Sequence, residues 1–270
     1  MRKSIKSFVE QKHLLKYVPN SLTLCNSLCG FASIIVALGY NAKVLNGEIP
    51  TNEIFVLSAW LILGAMIFDC LDGFAARLLN AASMHGLQMD SLADMVTFGV
   101  APATLVTAMT YSLKTLDLRH AVLVWILSGI YLGGAALRLA TYNVHAILEK
   151  KSDDKFHGLP SPGAAAAICT TVLFYNKLQA DHSELWWVLP VYGAFLGLMM
   201  VSPIRYVHAG KWLTTATKSK KKLAFVLVLL ILLIWHPEFT AFIMINLYIF
   251  LGIMLSLYRK LFCKQKESAS

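Results

Sequence analysis

The chain has 270 residues, of which 57% are hydrophobic and 14% charged, and its mean hydropathy is +0.61. Soluble domains carry about 25% charged residues, so this composition excludes a soluble protein and leaves no length for a separate soluble domain. The formal net charge of +9 reads as cytoplasmic loops of a membrane protein rather than as nucleic-acid binding, and no DNA- or RNA-binding motif accompanies it.

Residues 1–17 interleave Arg2, Lys3, Lys6, Lys12 and Lys16 with Ile5, Phe8, Val9 and Leu15 at helical spacing. This predicts an amphipathic helix lying on an anionic leaflet. No short apolar region leads to a small-residue cleavage site, so no cleavable signal peptide is expected. Pro19 opens a first span over about 20–40, a position where its missing N–H does no harm. Asn20, Thr23 and Asn26 follow at intervals of three. They either cap the helix or join its free N–H groups in facing a phosphate. Spans two and three cover about 54–79 and 88–112. Span four, about 121–146, carries Arg138 and Asn143. A cation within a span needs an anion, supplied either by an aspartate of the chain or by a substrate. A polar loop over 147–161 contains His157. Span five (about 162–178) is alanine-rich, and span six is about 185–204. A linker with Lys218 and Lys220 to Lys222 leads to span seven, about 223–236, and span eight, about 239–258. The fold class is therefore all-α: a polytopic membrane helix bundle forming one domain over 1–270. The five cysteines mostly lie in apolar runs and read as reduced core residues. Cys25 and Cys29 share a helix face, but no second pair or histidine cluster completes a zinc site.

Lysine and arginine set the orientation. With eight spans, the N-terminal segment, the loop at 147–161, the linker before span seven and the C-terminal tail share one side, together with Arg77. The other side holds only Lys43, Lys114, Arg119 and Lys177. The imbalance predicts cytoplasmic termini in the cell membrane.

The sharpest signal is the stretch from Asp69 to Asp94. It reads Asp69-x-x-Asp72-Gly73-x-x-Ala76-Arg77, then Gly86-x-x-x-Asp90-x-x-x-Asp94. Carboxylates at membrane depth are costly and are functional by default. Positions i and i+3 share a helix face, as do i and i+4. Asp69 and Asp72 therefore point one way from one helix, and Asp90 and Asp94 do so from the next. Four facing carboxylates repel unless cations lie between them. Oxygen ligands of this kind select magnesium, manganese or calcium, and a pair of divalent ions suits a phosphate.

This pattern resembles, at every fixed position, the signature of the CDP-alcohol phosphotransferases. The resemblance implies a six-helix core, here 20–204, with 223–258 as two additional spans beyond it. It implies that an alcohol displaces CMP from a CDP-linked lipid. Asp69, Asp72 and Asp90 would hold two Mg2+ or Mn2+ ions. Asp94 would act as the base close to the second ion and share in holding it. Asn20, Thr23, Gly73, Arg77, Ser83 and Gly86 would form the CDP-diacylglycerol pocket. A homodimer is also implied.

Further segments look like the membrane-bound phosphatidylserine synthases within this family. They are Pro19 to Phe31, Ser91 to Ala103, Arg138-Leu139-Ala140-x-x-Asn143 and Gly158 to Ala164. Thr141 and Tyr142 depart from that subgroup, where Arg and Phe are common, so no role is carried over to them. L-serine is then the expected acceptor, with Arg138 and Asn143 as candidates to hold it and His157 next; Arg138 could equally pair with a motif aspartate. Choline, glycerol 3-phosphate and inositol phosphate are the alternative acceptors. A phosphorylated one would want more basic residues than Arg77 and Arg138. A divalent-cation transporter would explain the acids but not Gly73, Ala76, Arg77 and Gly86 at fixed offsets.

Overall fold

The computed structural model describes residues 17–45, 53–79, 83–113, 116–148, 158–178, 185–204, 206, 228–229 and 231–262. The expected amphipathic helix up to residue 16, His157 with most of its loop, and the lysine-rich linker lie outside these residues. Among the described residues there is no strand. The helices are α1 (Tyr17–Leu45), α2 (Glu53–Leu78), α3 (Met84–Asp94), α4 (Ala101–Leu113), α5 (Leu118–Leu148), α6 (Ser161–Leu178), α7 (Leu185–Val201) and α8 (Pro237–Phe262). A π-helical turn, Met95–Val100, joins α3 to α4. The expected third span is thus present, but as a helix with a wider turn in its middle. It also starts earlier than expected, because the Ser83 hydroxyl accepts from the Gly86 N–H at 3.0 Å and caps α3. Of the expected seventh span, residues 228–229 and 231–235 are helical.

Among the described residues, five segments are long and apolar enough to cross a bilayer: Tyr17–Gly39, Glu53–Leu78, Met84–Leu113, Leu118–His145 and Pro237–Tyr258. A sixth apolar stretch, Trp187–Val201, is shorter. Leu28, Ile67 and Leu92 turn outward along these helices, as suits a surface bathed in lipid. The protein is therefore an integral membrane helix bundle. Helix α6 differs. Its run from Ala164 to Thr170 is wholly buried, because α2 and α8 pack against it. Small side chains suit that position, since they let neighbouring backbones approach.

Polar and small residues set the helix contacts. Ser33 of α1 and Ser58 of α2 are fully buried, with hydroxyls 2.7 Å apart, and each lies within hydrogen-bond reach of the other's carbonyl. Helices α5 and α7 touch backbone to backbone: a Cβ on Gly134 would stand 2.3 Å from the Gly197 carbonyl oxygen. Helix α8 docks through Phe242, stacked on Phe174 at 4.3 Å between centroids, and through Asn246, which accepts from the Tyr192 hydroxyl at 2.7 Å. At the opposite end from the motif, Asp117 caps α5. Its carboxylate accepts from the His120 N–H, and the His120 ring beside it holds the carboxyl below the usual carboxylate range. Among the described residues, Cys25, Cys29, Cys70 and Cys169 are free, as expected, but of these only Cys169 is buried; Cys70 is exposed on the outer face of α2.

Candidate active site

The first turns of α1, the last turns of α2 and the start of α3 meet at one end of the bundle. At about 1.5 Å per residue, Asp69 lies about 14 Å inside the end of α2. Oxygens of Asp69, Asp72 and Asp90 all lie within 4.8 Å of one another. Asp94 follows one turn beyond Asp90 on α3 and lies beside this group, close enough to interact with Asp69. The i,i+3 and i,i+4 spacings thus bring four carboxylates together, as expected from the sequence. Among the described residues, the one ion pair formed by an acid joins Asp117 to His120, so no described basic side chain neutralises the cluster. The Asp90 Oδ1 atom is buried with no hydrogen-bond partner. A converging set of hard oxygens, one of them left without a donor, fits divalent cations of the magnesium or manganese type.

Beside the cluster lies a cleft of about 170 Å³, lined by Asn20, Thr23, Asp72, Gly73, Ser83, Gly86 and Asp90 among others. Of the residues expected to bind the donor, Asn20, Thr23, Gly73, Ser83 and Gly86 thus line one cleft. Thr23 lies inside α1, which is helical from Tyr17, so it does not cap the helix. Its hydroxyl lies 2.8 Å from Asp72 Oδ2 and 3.0 Å from the Pro19 carbonyl, and shares its proton between them. Gly73 and Gly86 differ in kind. A Cβ on Gly73 would meet nothing within 4 Å, so its place in the cleft leaves room for a ligand rather than for protein. A Cβ on Gly86 would stand 3.2 Å from Ser83 Oγ and 3.6 Å from Asn20 Oδ1, so this glycine lets two polar side chains close in. Arg77 stands outside the cleft lining, and its Nε donates to the Gly73 carbonyl one turn back at 3.0 Å.

The two residues expected to hold an acceptor are not brought together. Asn143 accepts from the Ser91 hydroxyl at 2.8 Å, next to Asp90 in sequence, and lines a second cavity of about 410 Å³ with Gln88, Leu92 and Met95. Arg138 lies on another face of α5, near Tyr142 and Tyr248. Its Nη1 abuts Gly158, whose φ of +86° suits glycine and whose absent Cβ would also strike the Met200 carbonyl at 2.1 Å. Two contacts are additional to those expected. Asn26 donates to Asp94 Oδ1 at 3.3 Å, and Thr97 donates to the Asn26 carbonyl at 3.1 Å. The step of three from Thr23 to Asn26 is visible in the sequence, but which helix it meets is a tertiary fact.

Residues 16–199 match the family model for CDP-alcohol phosphatidyltransferases. The chain is 33% identical over 242 residues to the CDP-diacylglycerol–serine O-phosphatidyltransferase of Helicobacter pylori strain J99, covering 87% of this chain and 89% of that protein. It is 30% identical over 198 residues to the enzyme of the same name from Bacillus subtilis, covering 73% of this chain and 93% of that one. The archaetidylserine synthase of Methanothermobacter thermautotrophicus is 32% identical over 208 residues, with 76% and 72% covered.

Proposed function

This chain belongs to the CDP-alcohol phosphatidyltransferase family, and from that premise we propose that it transfers the phosphatidyl group of CDP-diacylglycerol to the hydroxyl of L-serine. The products are phosphatidylserine and CMP. The observation that carries the reading is the convergence of the motif carboxylates Asp69, Asp72 and Asp90, with Asp94 one helical turn beyond Asp90, beside a cleft whose Gly73 faces open space. The serine oxygen forms a bond to the phosphorus that bears the diacylglycerol. The bond from that phosphorus to the oxygen bridging toward CMP breaks, and CMP leaves with its electron pair. Asp94 takes the proton of the attacking hydroxyl. Asp69, Asp72 and Asp90, with Asp94, would hold two Mg2+ or Mn2+ ions. Such ions, when bound, neutralise the diphosphate and the charge that develops on the departing CMP.

The remaining residues bind and orient. Thr23 steadies Asp72 through its hydroxyl. Asn20, Gly73, Ser83 and Gly86 receive the cytidine-diphosphate portion, and Arg77 borders it. The described lining of both cavities carries no lysine or arginine, which suits an acceptor without a phosphate. The names of the relatives point the same way. A homodimer and a cytoplasmic site in the cell membrane, as the resemblance and the lysine distribution imply, belong to the same reading.

The test is CMP release from CDP-diacylglycerol by the purified protein, with serine, choline, inositol phosphate and glycerol 3-phosphate supplied in parallel. Serine is expected to be the acceptor that sustains turnover, and excess chelator is expected to stop it. Faster turnover with another alcohol would overturn the acceptor. Full turnover in chelator would overturn the metal reading.

A further inference from the structure

Separate contacts from two helices converge on the turn that follows Asp94. Asn26 of α1 is fully buried, and its Nδ2 donates to Asp94 Oδ1 at 3.3 Å. Its main-chain carbonyl accepts from the hydroxyl of Thr97, a fully buried residue of the π-helical turn, at 3.1 Å. About one helical turn further along α1, Gly30 lies against the same threonine. A Cβ on Gly30 would stand 2.4 Å from Thr97 Oγ1 and 2.8 Å from its Cα. Helix α1 thus rests directly on the π-helical turn. From α5, the buried Tyr131 hydroxyl donates to the Phe98 carbonyl at 2.8 Å.

A π-helical turn is an α-helix with one residue inserted, and one residue corresponds to about 100° of rotation. The insertion uncouples the two halves of the third span. Asp90 and Asp94 face the acid cluster, while Ala101, Leu105 and Val106 face the core. The Asn26 Oδ1 atom is buried with no hydrogen-bond partner. A buried amide with one atom unsatisfied is costly, so an apolar side chain would serve folding better. What the amide does make is the bond to Asp94.

We propose that Asn26 is the positioning residue for Asp94, and that the π-helical turn, clamped by Gly30, Thr97 and Tyr131, sets the rotation from which that carboxylate takes the alcohol's proton. This rests on the reading of Asp94 as the base. The test is a double-mutant cycle of Asn26→Ala and Asp94→Asn, measured as kcat and KM for both substrates on protein shown to be folded in detergent. Asn26→Ala is expected to lower kcat by about 10–100-fold, with the KM for CDP-diacylglycerol within about twofold of the parent. In the Asp94→Asn background it should change kcat by less than about twofold, because a residue that acts only through Asp94 has nothing left to orient. A loss that multiplies that of Asp94→Asn would overturn the proposal, as would a normal kcat with a raised donor KM. The Asp94→Asn single variant judges the base assignment separately: unchanged turnover there removes the base and the proposal with it. Should Asn26→Ala give no folded protein, Thr97→Val and Gly30→Ala carry the same cycle. Each leaves the Asn26 amide and Asp94 in the sequence and removes the clamp. Full kcat in both would overturn the role of the turn.

Discussion

At the residue scale, identical side chains do different work because their surroundings differ. Four aspartates form one cluster, yet Asp90 keeps a buried oxygen without a donor while Asp94 is held by an amide. Asp69→Asn keeps the shape of the cluster and removes one charged ligand. Turnover should fall to background while the protein still inserts and purifies as the parent does; CMP release and a folding assay check both. Arg138 poses the opposite problem, a cation set against Gly158 and near Tyr248 rather than in the cleft lining. Arg138→Lys keeps the charge but loses the planar fork that suits a carboxylate. If the guanidinium holds serine, the serine KM should rise by about tenfold, equivalent to about 1.4 kcal/mol, with the KM for CDP-diacylglycerol unmoved. A normal serine KM with poor folded yield would make Arg138 scaffold. The motif aspartates were legible in the sequence because helical offsets alone fix which face they share. The hold of Asn26 on Asp94 was not, because it depends on which face of α1 meets α3 and the turn after it.

At the element scale, most helices follow from apolar length, so their existence was legible to within a few residues. The departures have physical causes. The π-helical turn Met95–Val100 adds one residue of register without altering hydropathy, and a hydropathy pattern cannot record it. Helix α6 is less apolar than its neighbours because it is surrounded by protein, and its alanine run is the trace of that burial. The contact between α5 and α7 depends on two glycines that carry no pattern of their own. A Cβ on Gly197 would stand 2.6 Å from the Tyr131 Cα and 2.7 Å from the Ile130 carbonyl, which leaves only backbone to move. Gly197→Val should therefore push α7 from α5, at a cost of about 1–3 kcal/mol for the overpacked site. It should also disturb Tyr131, which holds the Phe98 carbonyl. Thermal unfolding in detergent should show the loss, and kcat should fall with it. Gly129→Ala on α5 is the control, since a Cβ there meets nothing within 4 Å. Equal stability of the two variants would refute the close-packing argument.

At the scale of the whole molecule, we propose that α8 belongs to the same domain as the core. It lies outside the residues matched to the family, yet it stacks Phe242 on α6 and accepts a hydrogen bond from α7 through Asn246. The orientation of this bundle decides whether the chemistry can work. The acid cluster opens at the end of the bundle where α2 finishes and α3 begins, next to Arg77. We propose from the lysine and arginine imbalance that this end faces the cytoplasm, where a water-soluble acceptor is at hand. The far end, between α4 and α5, should then face outward, capped there by Asp117 and His120. The expectation can be read with single cysteines placed in a version whose five native cysteines are replaced and whose activity is retained. In intact cells an impermeant thiol reagent should label a cysteine at Leu116 and leave one at Asp153 untouched until the membrane is opened. A cysteine at Ser270 should behave like the one at Asp153, because an even number of crossings returns the chain to its starting side. If Ser270 is labelled from outside together with Leu116 while Asp153 stays untouched, segment 223–236 does not cross, and the active-site end stays cytoplasmic. If Leu116 is silent and Asp153 is labelled, the orientation is reversed, and the four carboxylates face a compartment into which cytosolic serine does not diffuse.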